Sequence, residues 1–320
     1  MEINESVIKE EVGNFLTSLQ KLLPKKKDFI VIRNDKPTLT RLSDVHAEAK
    51  KVFPQCFVGA KMVITRDVLE KVKLVQNYNL GKSKDSYKCF SQLIHKEMDE
   101  KNVADGLLLD SAGSATATYT EKMNDYEMKL TSKIKDLVSS ETEISFETDS
   151  KKSIRSMSFA LKDADPNTLK VVTQWMYKVA PEFCVGGEMG FKPLSYPLSP
   201  ELSISARYDK PAFTLSSTIS RAGYQVCLFK PFTSDLRIAT IINENNRGGS
   251  ATIGLALHKS YENSELKIFV DSQRCGGFTF EKDVLFKEQQ NDVRVIRLMV
   301  STIIDRQKRV RCGFGFNLDF

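Results

Sequence analysis

The sequence predicts an all-β fold, a transmembrane β-barrel of about nineteen strands preceded by N-terminal helices. Three observations carry that prediction. From Phe57 onward apolar and polar residues alternate with a period of two. The alternating segments recur at roughly ten-residue intervals with turn residues between them, which is a meander pattern. No apolar run of roughly 18 residues exists, so a membrane crossing has to be made by a closed barrel, which leaves no unpaired backbone in lipid.

The first 56 residues read as an extension with two helices, and residues 57–320 as the barrel. Val7, Ile8, Phe15, Leu16, Leu19, Leu22 and Leu23 fall on one side of a helix that Pro24 and the lysines after it terminate. Ile30 to Pro37 is an irregular connector. Leu42 to Phe53 forms a second helix, with Ser43 as N-cap and Pro54 as its stop.

The strands follow in order. In Glu70 to Leu80, Val72, Leu74, Tyr78 and Leu80 alternate with Lys71, Lys73, Asn77 and Asn79. Glu141 to Asp149 sets Ile144 and Phe146 against Glu143, Ser145 and Glu147. Leu202 to Asp209, Phe213 to Ser220 and Ser264 to Asp271 repeat the pattern. Asp209-Lys210-Pro211, Arg221-Ala222-Gly223 and Asn245 to Gly249 supply turns. The spans Phe90 to Lys96, Gly106 to Asp110 and Val284 to Arg297 have the least defined edges. No blade repeat or run of fully apolar strands points to a soluble propeller or sandwich.

Composition excludes other classes. There are 47 Lys plus Arg against 41 Asp plus Glu, and a net charge of +6 spread along the chain does not make a nucleic-acid surface. The six cysteines stand singly, without a CxxC pair, so neither a disulfide framework nor a zinc cluster is expected. The start, Met1-Glu2-Ile3-Asn4-Glu5, lacks a basic region and an apolar signal core. His46, His95 and His258 lie in no nucleophile, metal or phosphate motif, so no catalytic residue, metal site or cofactor is expected and the chain reads as a non-enzyme. Gly186-Gly187 and Gly276-Gly277 read as strand glycines that ease curvature.

The two faces suggest a mechanism. The alternation sends Ile144, Phe146, Leu202, Ile204, Tyr208, Leu266, Ile268, Phe314, Phe316 and Leu318 toward lipid. It sends Glu127, Glu141, Glu143, Glu147, Asp149, Glu188, Glu265 and Asp271 toward the lumen, with Lys71, Lys73, Lys170, Lys178 and Arg207 on the same face. The first six of these carboxylates are the candidate contacts for a basic, amphipathic peptide in transit. Leu42 to Phe53 is expected to pack on the lumen wall and narrow it.

Several segments carry a family resemblance. They are Leu42 to Pro54, Phe57-Val58-Gly59-Ala60-Lys61-Met62-Val63-Ile64, Gln76 to Leu80, Val185-Gly186-Gly187-Glu188-Met189, Val270-Asp271-Ser272, Phe278 to Lys282 and Arg311 to Phe316. In that order they resemble the channel subunit of the translocase of the outer mitochondrial membrane, within the eukaryotic porin superfamily. The resemblance implies a nineteen-stranded barrel, a parallel pairing of first and last strands, and a helix inside the pore. It also implies a protein-conducting channel for unfolded precursors with targeting peptides, in the outer membrane of a mitochondrion or related organelle. The implied partners are precursor proteins, small helical and receptor subunits, other copies of the barrel and lipid, but no nucleic acid. Arg311, Gly313, Phe316 and Leu318 match the sorting signal of such barrels, polar-x-Gly-x-x-hydrophobic-x-hydrophobic, with Gly313 expected to allow close approach to the assembly machinery. The alternative is a metabolite porin of the voltage-dependent anion channel type. That family begins with one short helix almost at its N-terminus, whereas here more than fifty residues precede the first strand.

Overall fold

The computed structural model describes residues 39–69, 72–81, 88–95, 106–111, 113–123, 126–135, 138–194, 200–246, 250–287 and 293–319. The first expected helix, the connector Ile30 to Pro37 and Lys71 lie outside these residues. Alternating sequence folds into nineteen strands among the described residues. They are β1 (Gly59–Leu69), β2 (Val72–Leu80), β3 (Lys88–His95), β4 (Gly106–Asp110), β5 (Ala115–Lys122) and β6 (Tyr126–Lys135). There follow β7 (Ser139–Asp149), β8 (Ser153–Lys162), β9 (Lys170–Ala180), β10 (Phe183–Phe191), β11 (Glu201–Lys210) and β12 (Phe213–Ser220). The series ends with β13 (Gly223–Pro231), β14 (Leu236–Asn245), β15 (Ser250–Tyr261), β16 (Ser264–Asp271), β17 (Gly276–Lys287), β18 (Val293–Ile304) and β19 (Val310–Asp319).

Each strand pairs antiparallel with its sequence neighbour, and β1 pairs parallel with β19 through Gly59↔Gly313 to Thr65↔Asp319. The sheet has no free edge, the condition lipid imposes on a strand-built span. An odd number of alternating strands makes the closing pair parallel. All odd-numbered strands therefore end at one rim of the barrel, here the first rim, and β1 starts at the second.

Registers fix the faces, because paired residues point the same way. Ile204, Ile219 and Phe314 are 63%, 65% and 65% exposed, which puts them on the outer wall. Their strand neighbours Ser205 and Gly313 face inward and are buried. Leu202, Ile144 and Phe146 share the outer face. No helix among the described residues is long and apolar enough to cross a membrane.

Two expectations need correction. The first strand begins at Gly59 rather than Phe57, since Phe57 still belongs to a segment inside the barrel and gives its N–H to Ser301 Oγ at 2.9 Å. The second helix is broken into a 3-10 turn, Leu42–Asp44, and one α-helix, α1 (Ala47–Val52). Ser43 sits inside the turn and caps nothing; His46 precedes α1 without a side-chain cap. The break turns the His46 ring to the wall, where it finds two hydroxyls. Pro54 ends the helix as expected, with Phe53 already extended.

Candidate functional site

Residues 41–57 run along the luminal wall from the first rim to the second. Their start is held by Arg41. It gives Nε–H to Glu147 at 2.6 Å and Nη2–H to Glu127 at 3.2 Å. Those carboxylates face each other across β6 and β7, near the first rim. Burial, which opposes its charge, is outweighed by Glu147 and Glu127, and Arg41 is held above its ordinary pKa.

The next anchors come from β11 and β12. Arg207 is only 3% exposed. It pairs with Asp209 at 2.9 Å and Glu48 at 3.2 Å, and donates to the Val45 carbonyl at 3.3 Å. Thr214 donates to Glu48 at 3.0 Å. His46 Nδ1 lies 2.7 Å from Ser216 Oγ and Nε2 2.8 Å from Thr218 Oγ1. Burial pushes the His46 imidazole down to about 4, and the neighbouring Lys50 and Arg207 act in the same direction.

Apolar packing completes the attachment. Ala49 and Val52 of α1 bury against Cys227, Phe229, Ala239 and Ala256. Phe53 packs on Phe269 with ring centroids 6.4 Å apart. The wall is cut away where the segment leans. A Cβ on Gly186 would meet Leu42 Cδ1 at 3.0 Å, and one on Gly254 would meet Phe53 Cε1 at 3.1 Å. One on Gly277 would lie 2.9 Å from Cys56 Sγ, and one on Gly313 would lie 2.4 Å from the Phe57 carbonyl oxygen. Gly186 and Gly277, read as curvature glycines, leave space both for the neighbouring strand, with a Cβ 2.5 Å from the Trp175 carbonyl oxygen and 2.6 Å from that of Thr302, and for the segment. Gly187 and Gly276 point the other way, and Gly187 lies beneath the Trp175 ring.

The candidate carboxylates all face the lumen, but they do not form one cluster. Glu127 and Glu147 share Arg41. Glu141 is opposed by Lys133 and Lys162, Glu143 by Thr131 and Ala160, and Asp149 by Ile154. Glu188 accepts a hydrogen bond from Gln174 at 2.6 Å. Glu143 opens onto a polar cavity of about 440 Å³ that Gln92, Thr118 and Lys129 also line. This arc, β3 to β7, faces α1 across the lumen. Of the sorting residues, Phe316 and Leu318 share the outer face with Phe314, while Arg311 and Gly313 face inward. Gly313 is covered by Phe57.

Sequence reasoning missed Arg41 and the anchoring role of His46. A signal for the docked segment was present in the small inward residues Gly186 of β10, Ala239 of β14, Gly254 and Ala256 of β15, Gly277 of β17, Ser301 of β18 and Gly313 of β19.

No family model matches the chain. It is 23% identical over 247 residues to the mitochondrial import receptor subunit TOM40 homolog of Caenorhabditis elegans, covering 75% of this chain and 82% of that protein. The Caenorhabditis briggsae protein of the same name is also 23% identical over 247 residues. The Xenopus tropicalis one is 21% identical over 302 residues, covering 88% of this chain and 84% of that protein. Nineteen strands closed by a parallel pair, together with that similarity, give the chain the architecture of a TOM40-type channel of the porin superfamily, set in the mitochondrial outer membrane.

Proposed function

We propose that the barrel conducts unfolded precursor proteins with basic targeting peptides across the mitochondrial outer membrane, as a conduit without chemistry of its own. The observation that carries this reading is the seat of Arg41 between Glu127 and Glu147. A basic side chain on a short, partly helical segment is already held by the luminal carboxylates, which is the interaction a basic amphipathic peptide would make. A half-exposed ion pair of this kind is worth about 1 kcal/mol or less, weak enough for release. Glu143 and Asp149 continue the acidic stripe of β7 beyond the pair. Small helical and receptor subunits, and further copies of the barrel, fit the exposed apolar outer wall. The names of the related proteins, import receptor subunits, support membership in such an assembly.

The test is single-channel recording with a basic targeting peptide. The open channel should show brief, voltage-dependent blockades that weaken as salt shortens screening to roughly 3 Å at 1 M. Arg41→Gln should lengthen the blockades, since it frees Glu127 and Glu147, and Glu143→Gln with Asp149→Asn should shorten them. A wild-type channel that ignores the peptide and passes nucleotides freely would instead be a metabolite porin.

A further inference from the structure

A second luminal cavity, of about 560 Å³, lies between the docked segment and the wall from β13 to β18. Its charge is lopsided. Lys50 and Lys51 enter from α1, Lys61 from β1, Arg237 from β14 and Lys267 from β16. Two carboxylates share the lining, and both are engaged with arginines, Glu48 with Arg207 at 3.2 Å and Glu281 with Arg297 at 3.8 Å. Lys267 lies 3.7 Å from Glu265, and His258 3.4 Å from the same carboxylate. Lys50, Lys51, Lys61 and Arg237 have no carboxylate within ion-pair distance among the described residues.

Four cations without a carboxylate partner, of which Lys61 lies 5.7 Å from the Phe57 ring centroid, repel each other around one cavity, and the cavity concentrates their field. An anion with several charges relieves that repulsion. Lysine and arginine both bind phosphate oxygens strongly through charge-assisted hydrogen bonds. The volume falls in the range of small-molecule sites, roughly 300–1,000 Å³. Because the cations come from three separate elements, a single phosphate cannot reach them all.

We propose that this cavity binds a small polyphosphate, bearing at least two phosphate groups, held between Lys50 and Lys51 of α1 and Lys61 and Arg237 of the wall. The bound anion links α1 to the strands behind it and cancels most of the local positive charge. The channel with the anion bound is therefore more cation-preferring than the empty one. The site does not depend on what the channel carries, and its test is separate from that of peptide passage.

The full chain, refolded and placed in planar bilayers at about 0.1 M salt, is titrated with magnesium-free tripolyphosphate and, separately, ATP. Each should lower the conductance saturably and move the reversal potential toward cation selectivity. Tighter binding of ATP would assign a contribution to its base against Phe57; equal binding would assign the affinity to the phosphates alone. The double variant Lys61→Gln, Arg237→Gln should weaken binding at least tenfold, and Lys51→Gln, at an exposed position with no packing role, should weaken it severalfold even if the double variant refolds poorly. Lys133→Gln, across the lumen on β6, should leave it unchanged. The proposal is overturned if neither anion acts saturably on the wild type, or if Lys133→Gln weakens the effect as much as Lys51→Gln does, since a diffuse luminal field would then suffice.

Discussion

At Gly313 a single missing atom lets the last strand, the first strand and the luminal segment meet. A Cβ there would sit 2.4 Å from the Phe57 carbonyl oxygen and 2.8 Å from its ring, closer than any relaxed contact. Gly313→Ala forces Phe57 outward and strains its hydrogen bond to Ser301, at a cost of about 1–3 kcal/mol. Gly190→Ala is the control, since its Cβ would meet nothing nearer than 3.7 Å. Urea unfolding from lipid vesicles should show the first variant destabilised by that amount and the second changed by less than about 0.5 kcal/mol. His46 gives a second handle at this scale. Its docked pKa of about 4 lies below the ordinary 6.5, so the undocked segment binds more protons between those values. Docking is therefore at full strength above pH 6.5 and weakens as pH falls toward 4, by up to about 1.4 kcal/mol per unit. Lys50 and Arg207 face the ring and act in the same direction as burial, while Glu48 and Asp209 lie beyond Arg207, paired with it. Hydrogen exchange of Ala47–Val52 should lose protection from pH 7 to pH 4.5 in the wild type and not in His46→Gln. A pH-independent wild type would show that the ring does not limit docking.

The docked segment as an element depends on the clamp around Arg207. Removing that guanidinium takes away the buried cation that Glu48 and Asp209 share, and a broken buried pair costs about 3–5 kcal/mol. Arg207→Met should release α1, so that trypsin cuts after Lys50 and Lys51 in the assembled barrel far faster than in the wild type. Adding Glu48→Gln should restore part of the resistance, which a general loss of folding would not allow. The strands were legible in the sequence because each exposes one face to lipid and one to water, and the period of two records that directly. β12 and β16 match their sequence boundaries residue for residue. The luminal segment was legible only as a helix of the wrong length. Phe57 fits the alternation of the strand that follows it, so nothing local separates the two. The break at His46 depends on Ser216 and Thr218, which lie 170 and 172 residues away. The carboxylates of β7 could be assigned to the lumen from parity, but Arg41, which occupies Glu127 and Glu147, lies outside any period and had no sequence mark.

For the whole molecule, the lumen has two unlike sides. The stripe Glu143, Glu147 and Asp149 lies on β7, and the uncompensated cations lie around α1, β1 and β14. The parallel seam of β1 with β19 means that the wall closes only when the last strand is in place. The path of residues 41–57 also fixes sidedness. β1 starts at the second rim and β19 ends at the first, so a barrel of odd strand number would by itself leave the two ends of its chain in different compartments. The segment before β1 crosses back through the lumen, and Arg41 lies beside the ends of strands at the first rim, the rim where Asp319 lies. The chain therefore enters and leaves the barrel on the same side of the membrane. Tags fused at residue 1 and at residue 320 should be cut together by a protease added to one side of intact organelles, or be spared together. A tag cut at one end only would mean that the segment does not traverse the lumen in the membrane.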